Sequence, residues 1–425
     1  MIDPAPQGYY AASAGPAPQR PSLSGLQNAD ICIIGAGYTG LSSALEAAAA
    51  GARVVVLEAQ TVGFGASGRN GGQIHTGWRK DQQQLESWLG HGHARELWAL
   101  SEEAKANVAV LIARHAICCE LKSGLLIAAH DAAAARALTR DAEHLAQTYG
   151  YNRLHILNEA EATKEIGSSI YRGASLDDGG GHLHPLLYAR GLATAAESAG
   201  AQIFERSAVL RVESVHNGME VMTSAGRVAA DRVLLATDAF MTTVAPGLDR
   251  FIGHVESFIT ATAPIPADIA AAILRHDAAV ADTRHVLDYY RKSADGRLLF
   301  AGREAYFGMP RDIAALVRPR LLRVFPQLRD IPIEYAWSGT VGITVTRMPH
   351  FGKLSERIFF GHGYSGQGVA LATLGGKLLA EAALGHEERF NVLARVPARP
   401  FPGGRLIRRP LIAAGLFAYK LVDAV

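Results

Sequence analysis

Hydrophobic and polar positions near the amino end predict a strand, a helix and a second strand. Residues 30–34 (DICII) form a β-branched run, and the glycine-rich turn 35–40 (GAGYTG) follows it directly. An alanine-rich segment then leads to a second β-branched run at 53–57 (RVVVL). Because β-branched residues favour strands and alanine favours helices, this pattern is typical of a βαβ unit.

Further apolar runs predict strands later in the chain. The run 357–360 (RIFF) leads into the glycine-rich segment 361–368 (GHGYSGQG), after which we expect a helix to about Leu384. The segments 287–291 and 297–302 flank an Ala-Asp-Gly turn and predict an antiparallel hairpin. A strand, a glycine turn and a helix N-terminus therefore recur near both ends of the chain, and such turns present N–H donors to polar or anionic groups.

Composition narrows the class of protein. A chain of 425 residues is long enough for at least two structural units. Its 42 basic and 40 acidic residues give a net charge of +2, which argues against a nucleic-acid or anionic-membrane partner. The three cysteines, Cys32, Cys118 and Cys119, fit neither a disulfide framework nor a zinc site. We therefore expect a reducing, cytoplasmic compartment.

The two ends of the chain differ in character. Residues 1–27 are rich in proline and lack the apolar run of a secretory signal, so we expect an extended arm. We find no uninterrupted apolar stretch long enough to span a bilayer. The tail from Arg405 is basic and then apolar. It predicts a terminal helix packed on the body of the protein, with peripheral membrane contact as the alternative.

The amino-terminal glycine turn has the spacing of a dinucleotide site. Gly35 allows the tight turn, Gly37 lets a pyrophosphate approach the backbone, and Gly40 lets the helix pack closely on the strand. Glu58 ends the second predicted strand, where a carboxylate accepts hydrogen bonds from ribose hydroxyls. A carboxylate would repel a 2′-phosphate, so NADP is disfavoured.

A second glycine-rich loop follows at 63–73 (GFGASGRNGGQ), with five glycines in eleven residues. Glycine loses much entropy on ordering and has no side chain to pack, so this run is neither core strand nor stable helix. The polar residues between the glycines indicate a loop pressed against a flat ligand. A flexible surface linker is the alternative.

Motifs from residue 9 to about 405 carry a family resemblance. They are YYAAS (9–13), GAGYTGLSSAL (35–45), VVVLEA (54–59), GFGASGRNGGQ (63–73), GGHLHP (180–185), LDYYR (287–291), RMPHFG (347–352), GYSGQG (363–368) and PFPGGR (400–405). With them the sequence is similar to the D-amino-acid oxidase (DAO) family of FAD-dependent oxidoreductases, which includes glycine oxidase and sarcosine oxidase. Within that family it resembles the gamma-glutamylputrescine oxidase type most.

The resemblance implies an α/β fold with two domains. One is a Rossmann-like FAD-binding domain, and the other is an α+β substrate domain with a mostly antiparallel sheet over the flavin. The boundaries we expect are an N-terminal arm at 1–27, a discontinuous FAD-binding domain at 28–95, 185–245 and 335–425, and a substrate domain at 96–184 and 246–334.

The resemblance also implies which residues bind FAD. They come from the three glycine-rich segments 35–40, 63–73 and 361–368, from the end of the second strand and from a backbone strand near the adenine. The expected set is Gly35, Gly37, Tyr38, Thr39, Gly40, Glu58, Ala59, Ser67, Gly68, Arg69, Asn70, Gly71, Gly72, Gln73, Val209, Gly363, Tyr364, Ser365, Gly366, Gln367 and Gly368. No cysteine follows Cys119, so the cysteine-linked flavin of sarcosine-oxidase-like members is excluded there and we expect non-covalent FAD.

One departure from the family concerns the substrate. Glycine-oxidase-type members hold the substrate carboxylate with an arginine, and the matching position here is Val341. Valine cannot form the bidentate ion pair that arginine makes with a carboxylate. This favours an amine without an α-carboxylate, or an acid held by Arg79, Arg291 or Arg303.

The implied reaction is oxidation of an amine C–N bond by hydride transfer to flavin, with O2 as acceptor and H2O2 as product. A gamma-glutamylputrescine-like substrate of polyamine catabolism is expected. Alternatives are a cyclic or secondary amino acid such as L-pipecolate, a quinone acceptor, and a flavin-binding redox protein without turnover. The cofactor supplies the difficult chemistry, so we expect the protein mainly to orient and desolvate the substrate.

Five residues are candidates for contact with substrate or flavin. They are Tyr289, Tyr290, Arg291, His75 and Trp337. Strand alternation turns only one of the two tyrosines inward. Packing in the core is the alternative for the tyrosines and for Trp337. The GGHLHP motif provides two histidines without a third ligand, so no metal site is expected.

Overall fold

The computed structural model describes residues 8–241, 244–305 and 310–402. The tail from Arg405 and the side chain of Arg303, for which the sequence suggested roles, lie outside the described residues. Within the described ranges, no helix has both the length and the apolar character needed to cross a membrane.

Strands form two sheets. In chain order they are β1 (Gly25–Ile34), β2 (Val54–Leu57), β3 (Gln73–Ile74), β4 (Lys122–Ala128), β5 (Leu154–Leu157), β6 (Ala174–His182), β7 (Gln202–Phe204), β8 (Arg211–Val215), β9 (Gly218–Met222), β10 (Gly226–Leu235), β11 (Gly253–Thr262), β12 (Ala279–Asp282), β13 (Tyr289–Lys292), β14 (Leu298–Ala305), β15 (Ile333–Ile343), β16 (His350–Ser355) and β17 (Ile358–His362).

Helices cover the sheets and join their strands. They are α1 (Tyr9–Ser13), α2 (Tyr38–Ala49), α3 (Gln82–Leu89), α4 (His91–Arg114), α5 (Ala132–Tyr149), α6 (Glu159–Ile166), α7 (Pro185–Ser198), α8 (Ala267–Ala272), α9 (Ile313–Val324), α10 (Gly368–Ala383) and α11 (Glu388–Ala394).

The first sheet has the strand order β16-β17-β10-β1-β2-β7. Strand β1 pairs in parallel with β10 on one side and with β2 on the other, which confirms the predicted βαβ unit. It begins at Gly25, earlier than the apolar run suggested. Because its central strands are parallel, their carboxyl ends meet at one edge, where open α/β sheets bind ligands.

The second sheet has the order β15-β11-β14-β13-β12-β4-β6-β3, and β5 pairs with β6. Its pairs are antiparallel except for β4 with β12. The predicted hairpin is confirmed as β13 and β14, with Tyr289 opposite Ala301. The expected α/β fold with a mostly antiparallel second sheet is therefore present.

Helices α2 and α10 pack against one another on the first sheet. The Ser43 hydroxyl donates to the Gly376 carbonyl at 2.7 Å, and a Cβ on Gly376 would lie 2.8 Å from the Cβ of Ser42. At their amino ends, the Thr39 hydroxyl donates to the Tyr364 hydroxyl at 2.8 Å. The two glycine turns that precede these helices are thereby brought to the same edge of the sheet.

Two segments differ from the domain boundaries expected from the sequence. Residues 335–343, assigned there to the FAD-binding domain, belong to β15 of the second sheet. The boundary at 335 therefore falls within a strand, because β15 pairs with β11 from Ile333 to Ile343. The arm is not extended throughout, since Tyr9–Ser13 forms α1.

Candidate active site

A cavity of about 710 Å³ lies between the two sheets. One end is formed by the carboxyl ends of β1 and β2, and the roof is formed by β11, β13 and β15. All residues predicted to hold the cofactor line it except Gly40, Gly68, Gly72 and Gly363, which pack against neighbouring groups of the protein. The glycine turn 35–40 and the glycine segment 361–368, far apart in sequence, meet at this cavity.

The first glycine turn forms a cradle without side chains. Gly35 has a φ of +104°, and a Cβ there would lie 2.8 Å from the Ala236 carbonyl oxygen. A Cβ on Gly37 would lie 2.8 Å from Oγ of Ser67, which accepts a hydrogen bond from the Tyr38 N–H at 3.0 Å. Only glycine fits both places, so the backbone is open to a ligand at the N-terminus of α2.

Glu58 directly follows β2 and lines the same end of the cavity. Its Oε2 accepts from the Ala36 N–H at 2.8 Å and its Oε1 from the Gln60 N–H at 2.9 Å. Burial raises the pKa of this carboxyl above its ordinary value, and the backbone donors oppose that shift. Each oxygen keeps a further lone pair, so the carboxylate could accept from ribose hydroxyls.

The loop 63–73 is held in shape by its own polar side chains. The Asn70 amide donates to the carbonyls of Ala66 and Ser67 at 3.0 and 3.1 Å, and its Oδ1 accepts from the Gly72 N–H at 2.7 Å. The Arg69 Nε donates to the Phe64 carbonyl at 2.7 Å. The loop is therefore a preformed wall of the cavity, and the linker alternative does not describe it.

The carboxyl-terminal glycine segment, 361–368, is fixed by Asp238, a residue not predicted for the site. Its Oδ1 accepts from the Gly363 N–H at 2.7 Å and its Oδ2 from the Gly342 N–H at 3.3 Å. Burial raises the pKa of Asp238, and these N–H groups oppose the rise. The carboxylate thus joins the glycine segment 361–368 to β15.

Gln367 lines the cavity directly before α10. Its Oε1 is buried and accepts no hydrogen bond from any described residue. A buried acceptor without a partner is costly, and a ligand that donates a hydrogen bond at this place would remove that cost.

The candidate catalytic residues divide into two groups. Tyr289 and His75 line the cavity, whereas Tyr290, Arg291 and Trp337 do not. The Tyr289 hydroxyl is 3.1 Å from the Ser257 hydroxyl. Burial lowers the pKa of His75 to about 4, and the positive charge of Arg79 adds to the effect. His75 is therefore neutral at pH 7.

The three remaining candidates do not line the cavity, where direct contact was expected, and their contacts lie within the protein. Tyr290 faces the hydrophobic core beside the second sheet, where its ring stacks on Phe300 at 5.5 Å between centroids. Arg291 donates through Nε to the Gly71 carbonyl at 2.9 Å. Trp337 donates through Nε1 to the Arg69 carbonyl at 3.0 Å. Arg291 and Trp337 support the loop from behind because that loop lies between them and the cavity.

Several cavity residues were missed by the sequence-based selection. Asp238 follows the parallel strand β10, Gly226–Leu235, and polar residues at the carboxyl end of such a strand are a usable signal. Ser257 and Thr340 lie on β11 and β15 and also line the cavity. No local motif marks them, since their place depends on the pairing of two strands distant in sequence.

Comparison with known proteins identifies the family. The family described as DAO, FAD dependent oxidoreductase, matches residues 30–382. The chain belongs to the DAO family. The "Gamma-glutamylputrescine oxidoreductase" of Escherichia coli K12 is 39% identical over 98% of this chain and 97% of its own length. The "Probable oxidoreductase OrdL" of Haemophilus influenzae is 38% identical over the same shares.

A solved structure shows the same fold. Glycine oxidase from Geobacillus kaustophilus superimposes with a TM-score of 0.72 at 23% identity, covering 84% of this chain and 95% of that one. As a DAO-family member the protein is an FAD-dependent oxidoreductase. The side-chain-free cradle at Gly35 and Gly37, the available oxygens of Glu58 and the unpartnered Oε1 of Gln367 fit this cofactor. When bound, FAD accepts a hydride from the substrate.

Proposed function

We propose that this DAO-family protein oxidises the amino end of a glutamylated diamine of the gamma-glutamylputrescine kind, with O2 as acceptor and H2O2 as product. The residues that hold FAD are those of the glycine-rich segments 35–40, 63–73 and 361–368, together with Glu58. The observation that carries the proposal is Val341, which lines the cavity where glycine-oxidase-type relatives are expected to place an arginine.

The surroundings of Val341 suit an alkyl amine. Val341 pairs directly with Val255 across β11 and β15, and both line the cavity. Ile259 and Ile343 line the same roof. An apolar surface of this kind stabilises the methylene chain of a diamine by removing it from water. It offers nothing to pair with a carboxylate next to the reacting carbon.

His75 suits a cationic substrate. A protonated imidazole at the cavity wall would repel an ammonium group, whereas a neutral ring can accept a hydrogen bond from it. Because burial holds the pKa of His75 at about 4, the ring is neutral over the pH range in which an amine oxidase works. We assign His75 and Tyr289 to the substrate end of the cavity.

An anaerobic substrate panel tests this function. The holoenzyme is mixed separately with gamma-glutamylputrescine, putrescine, L-pipecolate and glycine, and loss of the flavin absorbance is followed. We expect bleaching to be fastest with gamma-glutamylputrescine. Faster bleaching by L-pipecolate would instead assign the enzyme to cyclic amino acids. Arg79, an exposed residue, is one of the arginines that line the cavity and could pair with their carboxylate.

The acceptor and the attachment of FAD need separate measurements. O2 uptake with more than one H2O2 per flavin supports an oxidase and excludes a redox protein without turnover. Dye reduction without O2 uptake would point to a quinone. Acid precipitation should leave the yellow colour in the supernatant, and a yellow pellet would contradict non-covalent attachment.

A further inference from the structure

The short amino-terminal helix α1 buries its two tyrosines behind the glycine loop 63–73, while Ala11–Ser13 are exposed. Its residues Tyr9 and Tyr10 are only 3% and 2% exposed. A Cβ on Gly8 would lie 2.7 Å from Cγ of Trp337, and the ring of Tyr10 meets Trp337 edge-on at 5.2 Å between centroids. A helix this short is unstable alone, so these contacts determine its position.

Tyr10 is joined to the glycine loop through Arg291. Its hydroxyl accepts from Nη2 of Arg291 at 3.2 Å, and Nε of the same guanidinium donates to the Gly71 carbonyl at 2.9 Å. Arg291 is only 2% exposed. A buried guanidinium needs acceptors for its N–H groups, so the Tyr10 hydroxyl helps to determine where Arg291 points.

A second contact runs from α1 to the same loop. Trp337, which packs on Gly8 and Tyr10, donates through Nε1 to the Arg69 carbonyl at 3.0 Å. The carbonyls of Arg69 and Gly71 flank Asn70. Helix α1 therefore contacts both Arg291 and Trp337, the two side chains that donate to carbonyls at the centre of the loop.

Holding these carbonyls orients the donors of the loop. In a planar trans peptide the carbonyl and the following N–H point in opposite directions. With the Arg69 carbonyl turned back to Trp337, the Asn70 N–H points to the other side of the loop, and Asn70 lines the cavity. Among the described residues no group accepts from this N–H. It is a donor available to a bound flavin.

We propose that α1 is a positioning element of the FAD site, acting through Tyr10 on Arg291 and thereby on the Gly71 carbonyl. Docking of α1 and binding of FAD are then coupled. Because such coupling is reciprocal, α1 strengthens FAD binding and FAD in turn stabilises the docked α1. This inference depends on the FAD-binding family of the protein and not on the identity of its substrate.

Two matched substitutions test the contact. Tyr10→Phe removes the hydroxyl that orients Arg291. Tyr9→Phe is the control, because the Tyr9 hydroxyl donates instead to Asp295 at 2.6 Å in the β13–β14 turn. FAD release from each holoenzyme is followed as the rise in flavin fluorescence on dilution. We expect Tyr10→Phe to raise the Kd for FAD about tenfold and to shift the visible flavin spectrum. A tenfold change corresponds to the loss of roughly one hydrogen bond.

The control variant should change the Kd by less than about twofold. Equal weakening by both variants would reduce the role of α1 to general stability and overturn the proposal. An unchanged Kd and spectrum in Tyr10→Phe would overturn it as well.

Amide hydrogen exchange on the unmodified full chain gives an answer even if Tyr10→Phe fails to fold. Addition of FAD to the apoprotein should slow exchange in the peptide that covers Tyr9–Ser13. Helix α5, Ala132–Tyr149, of which no residue lines the cavity, serves as the remote control and should not change. If FAD leaves exchange in α1 as fast as before, the coupling does not exist.

Discussion

The ring of Tyr289 packs against Gly71 so closely that a Cβ at position 71 would lie 2.7 Å from its Cε2 atom. Strand β13 thus touches one glycine twice, with Tyr289 against its Cα and Arg291 at its carbonyl. The second sheet and the loop proposed to hold the flavin are joined at this residue.

Replacing Gly71 by alanine should therefore disturb FAD binding. The added methyl group must displace either the Tyr289 ring or the loop, and overpacking of this kind costs about 1–3 kcal/mol. We expect the Kd for FAD to rise by about tenfold or more. Gly65→Ala in the same loop is the control, because its Cβ would meet Phe240 at an ordinary 3.6 Å. Similar Kd values for the two variants would contradict this account.

Substituting Asp238 by asparagine should loosen the glycine segment 361–368. Asp238 has a φ of +42°, which asparagine tolerates, so the backbone conformation is retained. The amide NH2 of asparagine, however, would face one of the two N–H groups that now donate to the carboxylate, and two donors cannot form a hydrogen bond. We expect a loss of about 1–3 kcal/mol in FAD affinity, measured by flavin fluorescence titration. Asp231→Asn, at an exposed position on β10, should leave the affinity unchanged.

An arginine at position 341 should change substrate preference. Val341→Arg places a cation on the cavity wall opposite Val255, where it would repel an ammonium group and attract a carboxylate. We expect kcat/KM for gamma-glutamylputrescine to fall about tenfold or more and to fall less for glycine. Val345→Arg, at a 42% exposed residue, is the matched control. An equal fall for both substrates would show only general damage to the site.

Acid stability should depend on the buried pair His350 and His362. Their rings share a hydrogen bond of 2.9 Å between Nδ1 and Nε2, and burial lowers the pKa of His362 to about 3 and that of His350 to about 4. A histidine with an ordinary pKa of about 6.5 in the unfolded chain takes up a proton there first. Stability is therefore full above about pH 6.5 and falls as the pH drops towards 3.

The measurement is the melting temperature of the holoenzyme between pH 7 and 4. His362→Gln removes one titrating group and should flatten the fall by roughly 1–3 kcal/mol of unfolding free energy. His216→Gln, at an exposed position, should keep the slope of the unmodified protein. A His362→Gln profile parallel to that of the unmodified protein would remove this explanation.

The sequence by itself determined the local parts of the cofactor site. The spacing of Gly35, Gly37 and Gly40, the strands on either side and the carboxylate of Glu58 all lie within one βαβ unit. Short-range geometry fixes such a unit, since backbone dihedrals and hydrogen bonds between neighbouring elements set it almost completely. The glycine content of 63–73 likewise indicated a loop that meets a flat ligand.

Only the tertiary structure decided which of the other candidates reach the cavity. Alternation along β13 places Tyr289 and Arg291 on the same face and Tyr290 on the other, but it does not say what lies in front of that face. Arg291 donates to the Gly71 carbonyl and Trp337 donates to the Arg69 carbonyl, so both side chains bind the loop and do not line the cavity. Asp238 joins segments more than one hundred residues apart. Such contacts depend on how distant strands pair and pack, which no local pattern encodes.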